Sequence, residues 1–253
     1  MSNILTKAVE AVDLLSQNPR GISVTELASL MGTSKSTASR LLGSLIEAGL
    51  VERDDAQRHF LDVRFWSWGA QSVRRLTVLD VARPHVTTAV RKHQVPTYVA
   101  VARENKAVYL ENVALLAGEP FLNLVSYVVP IYACAPGKAI LAYSSQEYVT
   151  TVLNQPLARF TPNTLATKET LMDELDRIRE QGYAFNRGEY ADNGKLAIAV
   201  PVLDQTGCPI AAICFHNLRN EHHAEGLIQP LIDLGHTVSM SMGYSPAVHH
   251  AVG

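Results

Sequence analysis

The segment TSKSTASRLLGSLIEA, set between Gly32 and Gly49, constrains the fold more than any other part of the chain. On a helical wheel, Ala38, Leu41, Leu42, Leu45 and Ile46 gather on one side. Ser36, Ser39, Arg40 and Gly43 fall on the other, with Lys35 and Thr37 at the N-terminal end. One face must be buried, and the other is small, hydroxylated and cationic. Serine disfavours helix interiors, so a plain solvated face rarely has this composition. Two helices precede it. ILTKAVEAVDLLSQ places Ile4, Leu5, Ala8, Val12 and Leu15 at helical spacing and stops at Asn18-Pro19-Arg20-Gly21. In SVTELASLM, Ser23 and Glu26 have capping-box spacing, and Gly32 takes the C-terminal stop. Thr33 or Ser34 then caps the third helix.

A helix with that outer face suits a DNA major groove. Small residues permit close approach, hydroxyls donate to phosphates and base edges, and Arg40 can take guanine as a bidentate pair. The candidate contacts are Thr33, Lys35, Ser36, Thr37, Ser39, Arg40 and Ser44. LVERDDAQRHFLDVRF reads as a short hairpin with a polar tip, a wing, which adds Arg58 as a contact to the backbone or minor groove. Charge limits this reading. The whole chain carries a formal −2. Up to Arg64, the bases Lys7, Arg20, Lys35, Arg40, Arg53, Arg58 and Arg64 face a near-equal set of acids. Phosphate neutralisation dominates affinity, so one copy binds weakly and two copies on a palindrome remedy that.

The remainder has a different texture. Residues from about 65 to 93 read as helical, with Pro84 near the start of a helix PHVTTAVRKHQ. From Val95 the chain turns β-rich. TYVAVAR, AVYLENVAL, FLNLVSYV, LAIAVPVLD and IAAICFHN read as strands. GKAILAYSS, TKETLMDELDRIREQG and a terminal stretch from about Glu221 to Met242 read as helices. The expected fold is α+β: a winged helix-turn-helix over 1–66, a helical linker over 67–93, an antiparallel sheet with helices over 94–244, and a frayed tail over 245–253. With 47% apolar residues among 253, the core is sizeable. The N-terminus lacks the marks of a signal peptide, and no apolar run reaches membrane-spanning length. Cys134, Cys208 and Cys214 form no CxxC, which fits a reducing cytoplasm.

YACAPGKAILA, Tyr132 to Ala142, tests for nucleotide chemistry. A Walker loop wants G-x-x-x-x-G-K-[ST], whereas here Tyr132 and Ala139 occupy the outer glycine and hydroxyl positions. Pro136 and Gly137 instead shape a turn that opens a helix.

At this point a family resemblance is plain. ISVTELASLMGTSKSTASRLLGSLIEAGLVER resembles the winged helix-turn-helix of the IclR family of bacterial transcription regulators. PIYACAPGKAILA, RIREQGYAFNRGEYADNGKLAIAVPV and IAAICFHN resemble, in order, that family's effector-binding domain. The resemblance implies a GAF-like domain binding a small metabolite, and homodimers or homotetramers on palindromic double-stranded operators. It also implies control of catabolism or transport of an organic acid, aromatic or sugar-derived, with no cofactor and no membrane partner. Carried residue by residue, the implied pocket includes Tyr132, Ala135, Pro136, Gly137, Arg187, Glu189, Asp192, Gly194, Ala197, Cys214 and His216, with the Pro136-Gly137 turn opening its helix toward a small anionic metabolite. Arg187 stands where an acid is often seen, which favours an anionic ligand.

Other readings compete. Tyr98, Tyr109, Phe121 and Tyr132 either line a pocket or simply pack the sheet. Cys134, near a helix start, is the one candidate nucleophile for a catabolic enzyme or hydrolase, though no spacing supplies its His and orienting partner. Cys214, His216 and His222-His223 lack zinc spacing. A metabolite sensor that has lost DNA binding, or a protein–protein module on the same winged helix, completes the alternatives.

Overall fold

The computed structural model describes residues 4–73, 77–116, 118–123, 127–191 and 196–245. It divides into two compact units, Met1–Arg75 and Leu76–Gly253.

The first unit contains α1 (Ile4–Ser16), α2 (Val24–Leu30), α3 (Lys35–Glu47), the hairpin β1 (Val51–Arg53) and β2 (His59–Leu61), and α4 (Arg64–Val73). Local signals account for the boundaries. The Glu26 amide donates to Ser23 Oγ at 3.3 Å, and the Ser23 amide donates to Glu26 Oε2 at 2.7 Å, a complete capping box. Gly32 takes a left-handed φ of 58° between α2 and α3. Ser34, of the two candidate caps, accepts from the Thr37 amide at 3.2 Å. Ala11, Leu15, Ile22, Leu27, Ala38, Leu42, Leu45 and Val51 form one buried cluster. Each large side chain contributes roughly 1.5–3 kcal/mol on burial. Of the five apolar positions on the α3 wheel, Ile46 remains 36% exposed, because the stripe drifts off the core by the last turn.

The second unit is α+β. It opens with α5 (Thr77–His93), which absorbs Pro84 in its interior. The expected helix start at Pro84 is thus a mid-helix position. The missing proline N–H costs one helical bond, and Thr87 and Thr88 hydroxyls donate back to the Arg83 and Pro84 carbonyls at 2.8 and 2.9 Å. The stretch expected as one linker, 67–93, is divided between the two units.

β3 (Thr97–Arg103), β4 (Lys106–Leu116), β5 (Glu119–Asn123), β6 (Tyr127–Pro130), β7 (Ala184–Asn186), β8 (Leu196–Leu203) and β9 (Pro209–Leu218) form one antiparallel sheet. Its order is β5–β4–β3–β9–β8–β7, with β6 also paired to β4. The expected single strand FLNLVSYV is therefore two strands on successive parts of the β4 edge. α6 (Ala135–Tyr143) follows a 3-10 turn, Ile131–Ala133, and is buried from Ala135 through Ala142. α7 (Gln146–Leu153), α8 (Lys168–Gln181) and α9 (Glu221–Ser241) complete the unit. α7 was not legible as a separate helix, although Ser145 caps it by accepting from the Tyr148 amide at 3.3 Å. Of the expected tail, residues 246–253 lie outside the described residues.

Candidate functional site

On α3, Lys35, Ser36, Ser39, Arg40 and Ser44 are exposed, and Thr33 and Thr37 are half-buried. Ser34 Oγ lies 3.0 Å from Ser36 Oγ and 2.9 Å from Thr37 Oγ1, so three hydroxyls cluster at the helix start. The N-terminal turn has cap, hydroxyls and Lys35 together, the arrangement that suits phosphate. Arg58 is placed differently from the other candidates. Its Nε donates to the Arg20 carbonyl at 2.8 Å, its Nη2 donates to the Gly21 carbonyl, and it pairs with Glu26 Oε2 at 3.2 Å. This guanidinium fastens the hairpin to the α1–α2 turn. At that turn, a Cβ on Gly21 would stand 2.6 Å from the Phe60 ring. Arg53 on β1 is the exposed cation of the wing.

In the second unit a cavity of about 310 Å³ opens against the sheet. Tyr98, Tyr109, Tyr127 and Val129 come from β3, β4 and β6, and Ala133, Cys134 and Ala135 from the turn into α6. Asn186, Tyr190 and Ala191 form another wall, with Leu196, Ala197, Cys214, His216 and Asn217 from β8 and β9. Register brings these together: Tyr98 opposes Asn112 on one side and Cys214 on the other. Tyr98 stacks on His216 at 4.1 Å and meets Tyr109 edge-on at 4.9 Å.

Four implied pocket residues do line this cavity: Ala135, Ala197, Cys214 and His216. Others are found elsewhere. Tyr132 donates its hydroxyl to the Ala158 carbonyl at 3.0 Å and leans on Phe160. Pro136 and Gly137 lie behind the lining in the first turn of α6. Gly137 is there for close approach, because a Cβ would stand 1.9 Å from the Ile131 carbonyl oxygen. Arg187 is exposed, pairs with Glu221 at 2.7 Å and caps the Phe185 ring at 4.0 Å. Asp192 and Gly194, and the side chain of Phe121, lie outside the described residues. Sequence reasoning missed Asn186, Tyr190 and Asn217. Their signal is tertiary, since each reaches the cavity from a turn or strand end.

Glu189 is buried behind the wall and does not line it. Lys138, wholly buried, donates to Glu189 Oε1 at 2.7 Å, Glu174 Oε1 at 3.0 Å and the Phe185 carbonyl at 2.7 Å. Three donors meet three acceptors, so this ammonium is fully engaged. Glu189 Oε2 accepts from Asn186 Nδ2 at 3.0 Å, and the same amide donates to the Ala133 carbonyl at 3.2 Å. Burial pushes the Glu189 carboxyl up, against the opposing pull of Lys138. The Lys of the Gly-Lys pair is therefore an internal tie between α6, α8 and the turn after β7.

Burial lowers His216 to about 4, so it is neutral near pH 7. Its Nε2 lies 3.3 Å from Asn112 Oδ1, which fits an Nε2–H donating to the amide oxygen. Burial pushes the Cys134 thiol up to about 12 and raises Cys214 as well, the reverse of what a nucleophile requires.

Both units match known domain families. The model of the bacterial transcriptional regulator IclR C-terminal domain matches residues 70–240, and that of the IclR helix-turn-helix domain matches residues 4–55. The chain belongs to the IclR family. Its relatives include the HTH-type transcriptional regulator XynR of Escherichia coli, 26% identical over 94% of this chain and 96% of that protein. The crystal structure of the Thermotoga maritima IclR matches at TM-score 0.71 and 27% identity, covering 95% of this chain and 98% of the other. An IclR homologue from Microbacterium hydrocarbonoxydans, solved with 4-hydroxybenzoate, shares the fold at TM-score 0.76 and 23% identity, covering 96% and 100%. This IclR-family chain is a DNA-binding transcription regulator, and catalysis by Cys134 has no place in it. No helix among the described residues is long and apolar enough to cross a membrane.

Proposed function

We propose that the chain is a ligand-responsive regulator acting in the cytoplasm. Its α3 face reads a half-site, and its cavity holds a compact ring-bearing effector. The cavity carries this reading: about 310 Å³ is room for a single-ring compound, and four tyrosines and an imidazole line it. The 4-hydroxybenzoate bound by the Microbacterium homologue supports the same size and shape of ligand. Lys35, Ser36, Ser39, Arg40 and Ser44 are the proposed base and phosphate contacts, Thr33 and Thr37 flank them, and Arg58 holds the wing in place. A homodimer on a palindrome fits the near-neutral charge of the first unit. Exposed Ile4 and Val9 on α1 and Trp66 on α4 offer apolar surface for a second copy.

The sheet supplies a route from ligand to DNA. His216 in the cavity contacts Asn112 on β4. Its neighbour Glu111, only 2% exposed, faces the opposite side of the strand. There Glu111 pairs with Arg83 of α5, whose Nε lies 3.3 Å from Glu111 Oε2. α5 begins just past the boundary with the DNA-binding unit, and Pro84 weakens the helix beside Arg83. An effector that favours one setting of this pair shifts the population of DNA-competent dimers. The test compares operator affinity with and without effector for wild type and Arg83→Ala. Retained binding of both ligands with a coupling reduced from the usual ~1–3 kcal/mol toward zero supports the route. An unchanged response removes Arg83 from it.

A further inference from the structure

Beside the family resemblance, the organic-acid expectation rested on Arg187 and on the start of α6, and neither presents a full anion site to the cavity. Arg187 is exposed and engaged by Glu221 and the Phe185 ring. At the start of α6, Pro136 has no N–H, and the Gly137 amide opposes the rise that burial gives the Cys134 thiol. The Lys138 amide already closes the first helical bond, to the Cys134 carbonyl at 3.0 Å. Of that first turn, the Ala135 and Gly137 amides remain, with the gap at Pro136 between them, fewer donors than an unbroken helix start offers an anion.

The wall behind the cavity adds a charge of the wrong sign. Glu174 and Glu189 outnumber Lys138 in the buried tie, and the balancing Arg177 on Glu174 is 61% exposed. Glu189 touches the cavity-lining Asn186 directly. Among the described residues lining the cavity there is no lysine or arginine. A carboxylate placed here loses its hydration and faces the buried Glu189 carboxyl across Asn186. The positive features favour another ligand. Tyr98 and His216 are stacked rings at the cavity, and His216, with Nε2 on Asn112, keeps Nδ1 as a hydrogen-bond acceptor. An aromatic face and an acceptor call for a ring and a hydroxyl donor.

Resting on the ring-bearing ligand proposed above, we infer that the effector is an uncharged, hydroxylated single-ring compound, and that the cavity discriminates against its carboxylate counterpart. The experiment uses the full chain and three probes that share one ring and one hydroxyl: 4-hydroxybenzamide, 4-hydroxybenzoate and 4-hydroxybenzylamine. Calorimetric titration near neutral pH should give the amide a Kd at least about tenfold below either charged probe. Binding of 4-hydroxybenzoate should tighten as pH falls toward the carboxylic-acid range, because the neutral acid is then the species bound. A carboxylate bound as tightly as the amide overturns the inference alone. If none of the three probes binds or raises the melting temperature, the ring reading fails and takes this inference with it. Ala197→Phe, which fills the cavity, and Tyr127→Ala, at a half-exposed wall position, should each weaken the amide at least about tenfold while melting stays cooperative. Undiminished binding in both variants places the ligand elsewhere and overturns the proposal.

Discussion

The outer face of α3 and the wall of the cavity at residues 186–190 use polar side chains in opposite ways. On α3, Lys35, Ser39 and Arg40 stand in solvent, and the hydroxyls of Ser34, Ser36 and Thr37 face one another at the helix start. At the wall, Asn186 gives both amide hydrogens to Ala133 and Glu189, accepts from the Gly188 amide at 2.9 Å, and is backed by Lys138. Thr164 donates to the Glu189 carbonyl at 2.6 Å, and Asn163 to that of Arg187 at 2.8 Å. The contrast teaches where recognition comes from. On the reading that α3 meets DNA, its donors stay available and the partner supplies the acceptors. A cavity for a small molecule fixes its polar groups internally, so that shape and the few remaining valences select.

Breaking the wall should cost most. Lys138→Met leaves Glu174 and Glu189 buried without their shared cation, and denaturant unfolding should register a loss of roughly 3–5 kcal/mol. A loss under about 1 kcal/mol means that the tie is not structural.

His216 sharpens the comparison through pH. Its imidazole titrates at 6.5 when unfolded and about 4 when folded, so the unfolded chain binds more protons between those values. Stability from this group is present above 6.5 and disappears as pH falls through that window, by on the order of 3 kcal/mol once both are passed. Melting followed across the range should slope accordingly, and His216→Phe should flatten the slope.

On the other side of the comparison, Arg40→Ala should weaken operator binding by about 1–3 kcal/mol with folding unchanged. A salt-controlled mobility shift with no change would take Arg40 out of the groove. The smallest effect belongs to Arg187→Ala. Its ion pair is more than half exposed on both partners, so stability should move by less than about 1 kcal/mol. Effector affinity should hold, and a tenfold loss would return Arg187 to the cavity.

The first unit was legible because its signals are local. A capping box, a left-handed glycine and a one-sided stripe each act within a few residues, and the structure reproduces them at Ser23, Gly32 and Ala38–Leu45. TYVAVAR, AVYLENVAL, LAIAVPVLD and IAAICFHN were readable for the same reason, whereas β7 and the division of FLNLVSYV into β5 and β6 were not. The cavity was legible only in part: Tyr98 and Tyr109 were candidate rings and the resemblance implied Ala135, Ala197, Cys214 and His216, but only sheet register and turn geometry join these to Asn186 and Tyr190. Pro84 misled because a proline normally marks a helix start, whereas here packing against the sheet sustains a helix through it. The apparent pull of Arg187 toward an anion came from residue type alone, and the turn aims its guanidinium at Glu221.

Gly137 has a mechanical consequence. With the Ile131 carbonyl filling the space where a side chain would begin, the 3-10 turn and α6 interlock like a key in a ward. Neither can slide without the other. A shift of the 3-10 turn therefore carries the first turn of α6 with it.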